Sequence, residues 1–271
     1  SSIITARNPR SMLLGPTNWT RLISHRPQRK HYRLKKESTM TNIAKSKDNV
    51  KTKAQAKKSK PTKNAKSTKP ELIKEMGVTR MTTKHPTIRK LKRQYPTSIH
   101  GNKFWSSSYL LMDYLNDNPP KKKTRILDLG CGWGLTSIYC TKTFGCTVTG
   151  VDADKDVFPY LDAHAELNDV TIGTLHRKFE KLDVETLSNY DLIIGGDICF
   201  WDSLNDTLFK LFKRAKKAGV KKAVIADPQR QPFIDLCARL DDHFTHEVWD
   251  WELPEPTPAD GDILVVNFKK S

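Results

Sequence analysis

Asp128, Gly130, Gly132, Gly134 and Asp152 are the residues whose types and spacing could do chemistry together. In Ile126-Leu127-Asp128-Leu129-Gly130-Cys131-Gly132-Trp133-Gly134, apolar residues around one carboxylate run into glycines at alternate positions, and a helical pattern follows. That is a strand delivering a side-chain-free turn to a helix N-terminus, the arrangement of a nucleotide-type site in an open α/β sheet. Glycine is needed where a Cβ would keep the backbone off a ligand or forbid the turn. A dinucleotide fingerprint would place glycine at position 135, where this chain has Leu135, and the Gly-Lys-Ser/Thr of a phosphate-cradling loop is absent. Asp128 would repel a pyrophosphate but suits a cationic ligand. Asp152 lies 22 residues beyond Gly130, at the tip of the next strand, placed to take both hydroxyls of a ribose. Carboxylate, glycines and ribose acid together describe a nucleoside with a charged amino-acid end and no phosphate, and S-adenosylmethionine is such a molecule.

The elements that must hold these residues alternate regularly. Apolar runs predict strands over 124–129, 146–151, 170–175, 190–195 and 220–225, with helices over 134–144, 155–168, 204–218 and 232–240. A further helix is expected over 104–115, where Trp105, Leu110, Leu111, Tyr114 and Leu115 recur at helical spacing. Such alternation predicts a doubly wound parallel sheet covered on both faces. The C-terminus breaks the pattern: 243–253 and 263–269 read as two strands with no helix between them, an antiparallel ending that departs from the nicotinamide-binding fold.

Net charge is +17, but it is unevenly placed. Residues 1–100 hold 26 Lys/Arg against 4 Asp/Glu, and residues 101–271 hold 21 against 26. The basicity therefore belongs to the N-terminal segment and says nothing about a site in the mildly acidic remainder. Residues 1–94 read as a basic, low-complexity, largely disordered tail, and 95–271 as the folded domain. The acid-free, Arg-bearing start resembles a mitochondrial transit segment, but Gly15-Pro16 interrupts its helix; a start at Met40 is the alternative, and a chain opening on serine reads as a fragment or processed form. The ten lysines of 41–70 suit a nuclear signal, a loose nucleic-acid anchor or a solvated tail. Five cysteines without a Cys-x-x-Cys pair suit reduced, buried thiols in an intracellular protein, in cytoplasm or nucleus with the mitochondrion as alternative. No histidine spacing suits a metal, and no apolar run is long enough for a membrane span.

Leu127 to Gly134, with Asp152 in Val151-Asp152-Ala153-Asp154, resembles motifs I and II of the class I, seven-strand S-adenosylmethionine-dependent methyltransferases, and the terminal strand pair is similar to that family's topology. The resemblance covers about residues 100–271. It implies a Rossmann-like α/β fold in which Gly130, Gly132 and Gly134 line the cofactor's backbone, Asp128 lies near its methionine end and Asp152 binds the ribose. It also implies an adenine-facing loop near Lys178-Phe179-Glu180, with Glu180 its acid.

The residues after the fourth strand choose the methyl acceptor in this superfamily. The Asn/Asp-Pro-Pro-Tyr/Phe motif of amide and exocyclic-amine methyltransferases is absent. Asp197-Ile198-Cys199-Phe200 resembles the Asp-x-x-Tyr/Phe motif of the seven-strand protein-lysine methyltransferases, and Trp105-Ser106-Ser107-Ser108 is similar to the tryptophan-bearing helix ahead of motif I in that group. Asp227-Pro228-Gln229-Arg230 resembles the Asp-Pro-Gly-Arg of the electron-transfer-flavoprotein β-subunit lysine methyltransferases, with Gln229 in the glycine's place. The resemblance implies a protein substrate, with Asp197 and Phe200 as the catalytic pair and Trp105 and Asp197 also reaching the cofactor. The alternatives are an RNA or small-molecule acceptor and a catalytically idle binding module. A lysine must arrive neutral; Phe200 and Trp201 would favour that by desolvation, while the charge of Asp197 would oppose it.

Overall fold

A computed structural model describes residues 31–32, 71–98, 100–101 and 103–268. The expected disorder of 41–70 and the expected transit segment, apart from residues 31–32, lie outside them. In chain order the elements are β1 (His31–Tyr32), β2 (Leu72–Glu75), β3 (Val78–Met81), α1 (Pro86–Gln94), α2 (Ser107–Asp117), β4 (Arg125–Leu129), α3 (Leu135–Phe144) and β5 (Thr147–Asp152). Then come α4 (Phe158–Leu167), β6 (Gly173–His176), α5 (Val184–Leu187), β7 (Leu192–Gly196), α6 (Asp202–Ala218), β8 (Lys222–Asp227), α7 (Gln231–Leu240), β9 (Thr245–Leu253) and β10 (Ala259–Asn267).

The main sheet runs β1-β9-β10-β8-β7-β4-β5-β6. β6, β5, β4, β7 and β8 pair in parallel, and β10 inserts antiparallel between β8 and β9. Beyond the two-residue β1 this is the seven-strand sheet with the antiparallel ending that the sequence predicts. Strand order reverses between β4 and β7, so the carboxyl ends of these two strands open the crevice in which such sheets hold ligands.

The central strands are apolar throughout because both faces are covered. Ile126, Ile194, Val224 and Val265 point into the layer under α2, α3 and α4, while Leu127, Leu129, Ile193 and Ile225 point into the layer under α6 and α7. α6 buries Leu208, Leu211, Phe212 and Ala215, one apolar stripe at helical spacing, and ends on Gly219 in the left-handed conformation, φ 85°. All five cysteines are free and buried.

The folded part begins earlier than residue 95. Residues 71–94, assigned by composition to the tail, form the β2–β3 hairpin and α1, which pack Met81 and Ile88 against Trp133 and Tyr160. Two buried side chains, His164 of α4 and Asn168 at its C-terminal cap, complete the open edge of β3. Asn168 accepts from Thr79 N (2.8 Å) and donates to Thr79 O (2.7 Å), and His164 Nε2 accepts from Met81 N (3.1 Å). His164 Nδ1 therefore carries the proton and donates to Tyr160 O, 2.7 Å away. Lys and Arg on α1 mask its single apolar stripe in a composition count, but Pro86 at the first turn with Ile88 and Leu91 three apart was a readable helix signal.

Candidate cofactor and acceptor site

β4 ends at Leu129 and the chain turns through Gly130, Gly132 and Gly134 at φ 63°, 49° and 75°, all in the left-handed region. Gly130 N donates to Val151 O at 2.8 Å, pinning the turn to β5. Asp152 holds it from the side: Oδ2 accepts from Gly132 N at 3.2 Å and Oδ1 from Asp154 N at 2.9 Å. The three glycines do different work. A Cβ at Gly134 would lie 2.6 Å from Leu161 Cγ, and one at Gly130 would lie 2.9 Å from Ile198 Cγ2, so these two are small to let neighbours pack. A Cβ at Gly132 would meet nothing closer than Gly130 O at 4.0 Å. Gly132 therefore faces the open space beside Asp152, a cradle of the kind a nucleoside with ribose hydroxyls would fill.

Asp128 sits beneath this turn, 4% exposed, and its Oδ2 accepts from Ser137 Oγ of α3 at 2.6 Å. Burial pushes its pKa up to about 7, the Ser137 bond opposes this and the neighbouring charge of Asp152 adds to it. Asp152 is also raised, chiefly by burial. Two desolvated carboxylates thus flank a turn that supplies them no cation, which suits a cationic ligand. The raised pKa of Asp128 sets a sign. Between about pH 4 and 7 the folded state binds the extra proton, so stability falls as pH rises through that window and the cost is complete above it. Asp128→Asn is expected to stabilise the ligand-free protein, with a gain about 2–3 kcal/mol larger at pH 8 than at pH 5. Urea unfolding at the two pH values checks this; an equal effect at both would contradict it.

A second cluster of candidate residues is built where β7 ends. Asp197 takes φ 57° and is buried; its N donates to Ala226 O at 2.9 Å, and its Oδ2 accepts from Ser107 N at the start of α2, 3.3 Å away. Its Oδ1 lies 3.0 Å from Arg230 Nη2. Arg230 also grips Asp227, with Nη2 at 2.5 Å and Nε at 3.1 Å from Oδ2, and its guanidinium lies over the Phe200 ring, 4.4 Å from the centroid. Gln229, where the resembling motif has glycine, keeps the glycine-like backbone at φ 62° and anchors its side chain on Asp262 Oδ1 at 2.9 Å. Phe200 belongs to a ring cluster with His100 at 4.3 Å and Trp105 at 5.5 Å between centroids, and Trp201, 57% exposed, lies 5.1 Å from His100.

Two expected residues sit elsewhere. Trp105 is not on the helix, which starts at Ser107; it lies in the preceding segment, where its Nε1 donates to His100 O at 2.8 Å and Lys103 Nζ caps its ring at 3.9 Å. This puts it in the ring cluster with His100 and Phe200. Glu180 is exposed, and its Oε1 accepts from Thr207 Oγ1 of α6 at 3.2 Å. Its neighbour Phe179 reaches the turn instead, with Cζ 3.8 Å from where a Cβ on Gly130 would stand. The family resemblance points to the acid of this pair; an aromatic ring would offer a base a stacking face. His100 and Arg230 were likewise missed as site residues, since nothing in their local spacing shows that α2, β7 and β8 bring them together.

Residues 126–219 match the family described as the methyltransferase domain. Among curated proteins the chain is similar to the electron transfer flavoprotein beta subunit lysine methyltransferase of Rattus norvegicus, 26% identical over 165 residues, which cover 60% of this chain and 63% of that protein. It is also similar to the malonyl-[acyl-carrier protein] O-methyltransferase of Priestia megaterium, 31% identical over 116 residues, 42% of this chain and 41% of that one. Among solved structures, the Pyrococcus abyssi tRNA (uracil-54, C5)-methyltransferase in complex with S-adenosyl-L-homocysteine superposes with a TM-score of 0.49 at 18% identity, over 73% of this chain and 43% of that one. The chain spans about three fifths of the length of the flavoprotein-methylating relatives it matches. The seven-strand sheet order and the glycine turn agree with the match of residues 126–219 to a methyltransferase domain, which indicates S-adenosylmethionine as the cofactor. Among methyltransferases it resembles the protein-lysine methyltransferases. Among the described residues no helix is long and apolar enough to cross a membrane, and no cluster of metal-ligating side chains occurs.

Proposed function

We propose that this chain transfers a methyl group from S-adenosylmethionine to a lysine of a protein substrate. The observation that carries the reading is the position of Asp197 and the Phe200 ring cluster at the carboxyl end of β7, across the crevice from Gly132 and Asp152. Gly132 would let the cofactor's backbone approach, Asp152 would take the ribose hydroxyls, Phe179 would lie against the base, and the buried charge of Asp128 would favour the cationic end. The cofactor supplies a methyl group already activated on a sulfonium, so the protein's task is alignment, with effective molarities worth about 7–11 kcal/mol when reacting atoms are held near attack distance.

An acceptor lysine needs a free lone pair. Phe200, His100 and Trp105 would line its aliphatic stem and strip water from the amine, favouring the neutral form. Asp197 would orient that amine; each of its oxygens has one protein partner and keeps a lone pair for another. The similarity to lysine methyltransferases supports a protein acceptor. Incubating the full chain with methyl-labelled S-adenosylmethionine and a cell lysate, then digesting with protease or nuclease, tests the reading. Label released by protease and resistant to nuclease is expected, with methyl-lysine in the hydrolysate. Label released by nuclease would move the acceptor to RNA, label in the small-molecule fraction would move it to a metabolite, and no label would favour a binding module.

A further inference from the structure

A carboxylate beside an acceptor amine poses a conflict. It orients the amine by hydrogen bonding, yet its negative charge holds the proton that must leave before the nitrogen can attack. We infer that Arg230 resolves this conflict: as a positioning residue it neutralises Asp197, so that the carboxylate directs an incoming lysine without stabilising its ammonium form. The inference rests on the protein-lysine reading above and adds the control of proton loss to it.

The geometry is specific. Arg230 is fixed before it reaches Asp197, because its backbone N donates to Asp227 Oδ1 at 2.9 Å and its side chain is bidentate on the same fully buried carboxylate. Its remaining reach ends 3.0 Å from Asp197 Oδ1, while the other oxygen of Asp197 is held by Ser107 N. The plane of the guanidinium covers Phe200, so one residue sets both the carboxylate and the ring that would flank the amine. The left-handed turn at Gln229, braced on Asp262, aims the arginine inward. Other titratable groups face this cation: Asp227 from β8, Asp262 from β10 through Gln229, Cys199 from the loop after β7, and His100 across Phe200 from the segment before α2. Of these, Asp227 has its pKa raised, mainly by burial, with its bonds to Arg230 opposing the shift, so the guanidinium is shared between the two carboxylates.

The balance of the step is simple. The lysine ammonium gives its proton to water, and the nitrogen lone pair then forms the new N–C bond as the C–S bond of the sulfonium breaks, with the electron pair staying on sulfur. No side chain need act as base, and the apparent pKa of the reaction is that of the bound amine. Initial rates of methyl transfer to the protein fraction of a lysate, from pH 6 to 10, test the inference with the full chain and its variants Arg230→Gln, Arg230→Lys, Asp197→Asn and the double change. Calorimetric binding of S-adenosylhomocysteine serves as the activity-independent readout.

Arg230→Gln is expected to bind S-adenosylhomocysteine as the parent does, and to move the rate profile about one unit or more toward alkaline pH, a loss of roughly tenfold near neutrality. Arg230→Lys should follow the parent. In the Asp197→Asn background the arginine change should bring the profile back near the parent's, because the carboxylate and the cation that screens it are then both gone. If Arg230→Gln does not fold, Asp197→Asn alone carries the test and should move the profile toward acid. A uniform rate loss at every pH, a double variant whose profile stays as alkaline as that of Arg230→Gln, or no movement in Asp197→Asn would each reduce Arg230 to a structural brace. Absence of transfer by the parent chain at any pH would instead overturn the acceptor reading itself, and the inference with it.

Discussion

Gly132→Ala is expected to abolish most cofactor binding while leaving the fold nearly intact, and Gly134→Ala is expected to do the reverse damage first. Both positions need the left-handed backbone, at a cost of about 1–2 kcal/mol for alanine, partly offset by a stiffer unfolded chain. They differ in what the new methyl meets. At 134 it would stand 2.6 Å from Leu161 Cγ and 2.9 Å from Leu161 Cδ1, inside the packed contact between the turn and α4, adding about 1–3 kcal/mol of overpacking. At 132 it would enter open space, with no neighbour inside 4 Å. That space is where the nucleoside is proposed to lie, so the methyl group should cost about 10–100-fold in affinity. Thermal melts and calorimetric titration with S-adenosylhomocysteine separate the two effects. Equal binding loss in both variants, after correcting for the unfolded fraction, would mean that the turn faces the ligand along its whole length.

The second large effect is at Asp152. Its carboxylate accepts from the backbone of the turn and stands next to the open face of Gly132. Asp152→Ala removes both the proposed ribose partner and the acceptor that holds Gly132 N, and should weaken cofactor binding by about 3 kcal/mol or more, over 100-fold. Asp197→Ala should leave cofactor binding within a few-fold of the parent and abolish most methyl transfer, because its partners are Ser107 and Arg230, both on the acceptor side. Its fold cost should be modest, since Arg230 keeps Asp227. Equal loss of binding in both variants would place Asp197 in the cofactor site.

The legible parts of this protein were those carried by short-range pattern. The β4 turn, the parallel core and the antiparallel β10 follow from apolar runs and glycines that any local window contains. Glycine type was readable too, but the direction in which each missing side chain would point was not. Only the packing of Leu161 and Ile198 shows that Gly134 and Gly130 are small for the core's sake, while Gly132 faces open space. The sequence could not show that Asp128 is buried and bonded to Ser137. Trp105 fitted a helical period and yet stands before the helix, because the α2 N-terminus is fixed by the approach of Ser107 to Asp197, ninety residues away. The hairpin and α1 were hidden by charge, their stability coming from contacts with Trp133, His164 and Asn168 that lie far along the chain.

The central claim is that the crevice between β4 and β7 takes a cationic nucleoside without phosphates. Equilibrium titration of the full chain with S-adenosylmethionine, in competition with S-adenosylhomocysteine and with a nicotinamide dinucleotide, tests it most directly. Saturable binding of S-adenosylmethionine, displaced by S-adenosylhomocysteine, untouched by the dinucleotide and lost in Asp152→Ala, is the predicted result. Displacement by the dinucleotide, or S-adenosylmethionine binding that survives Asp152→Ala undiminished, would contradict it.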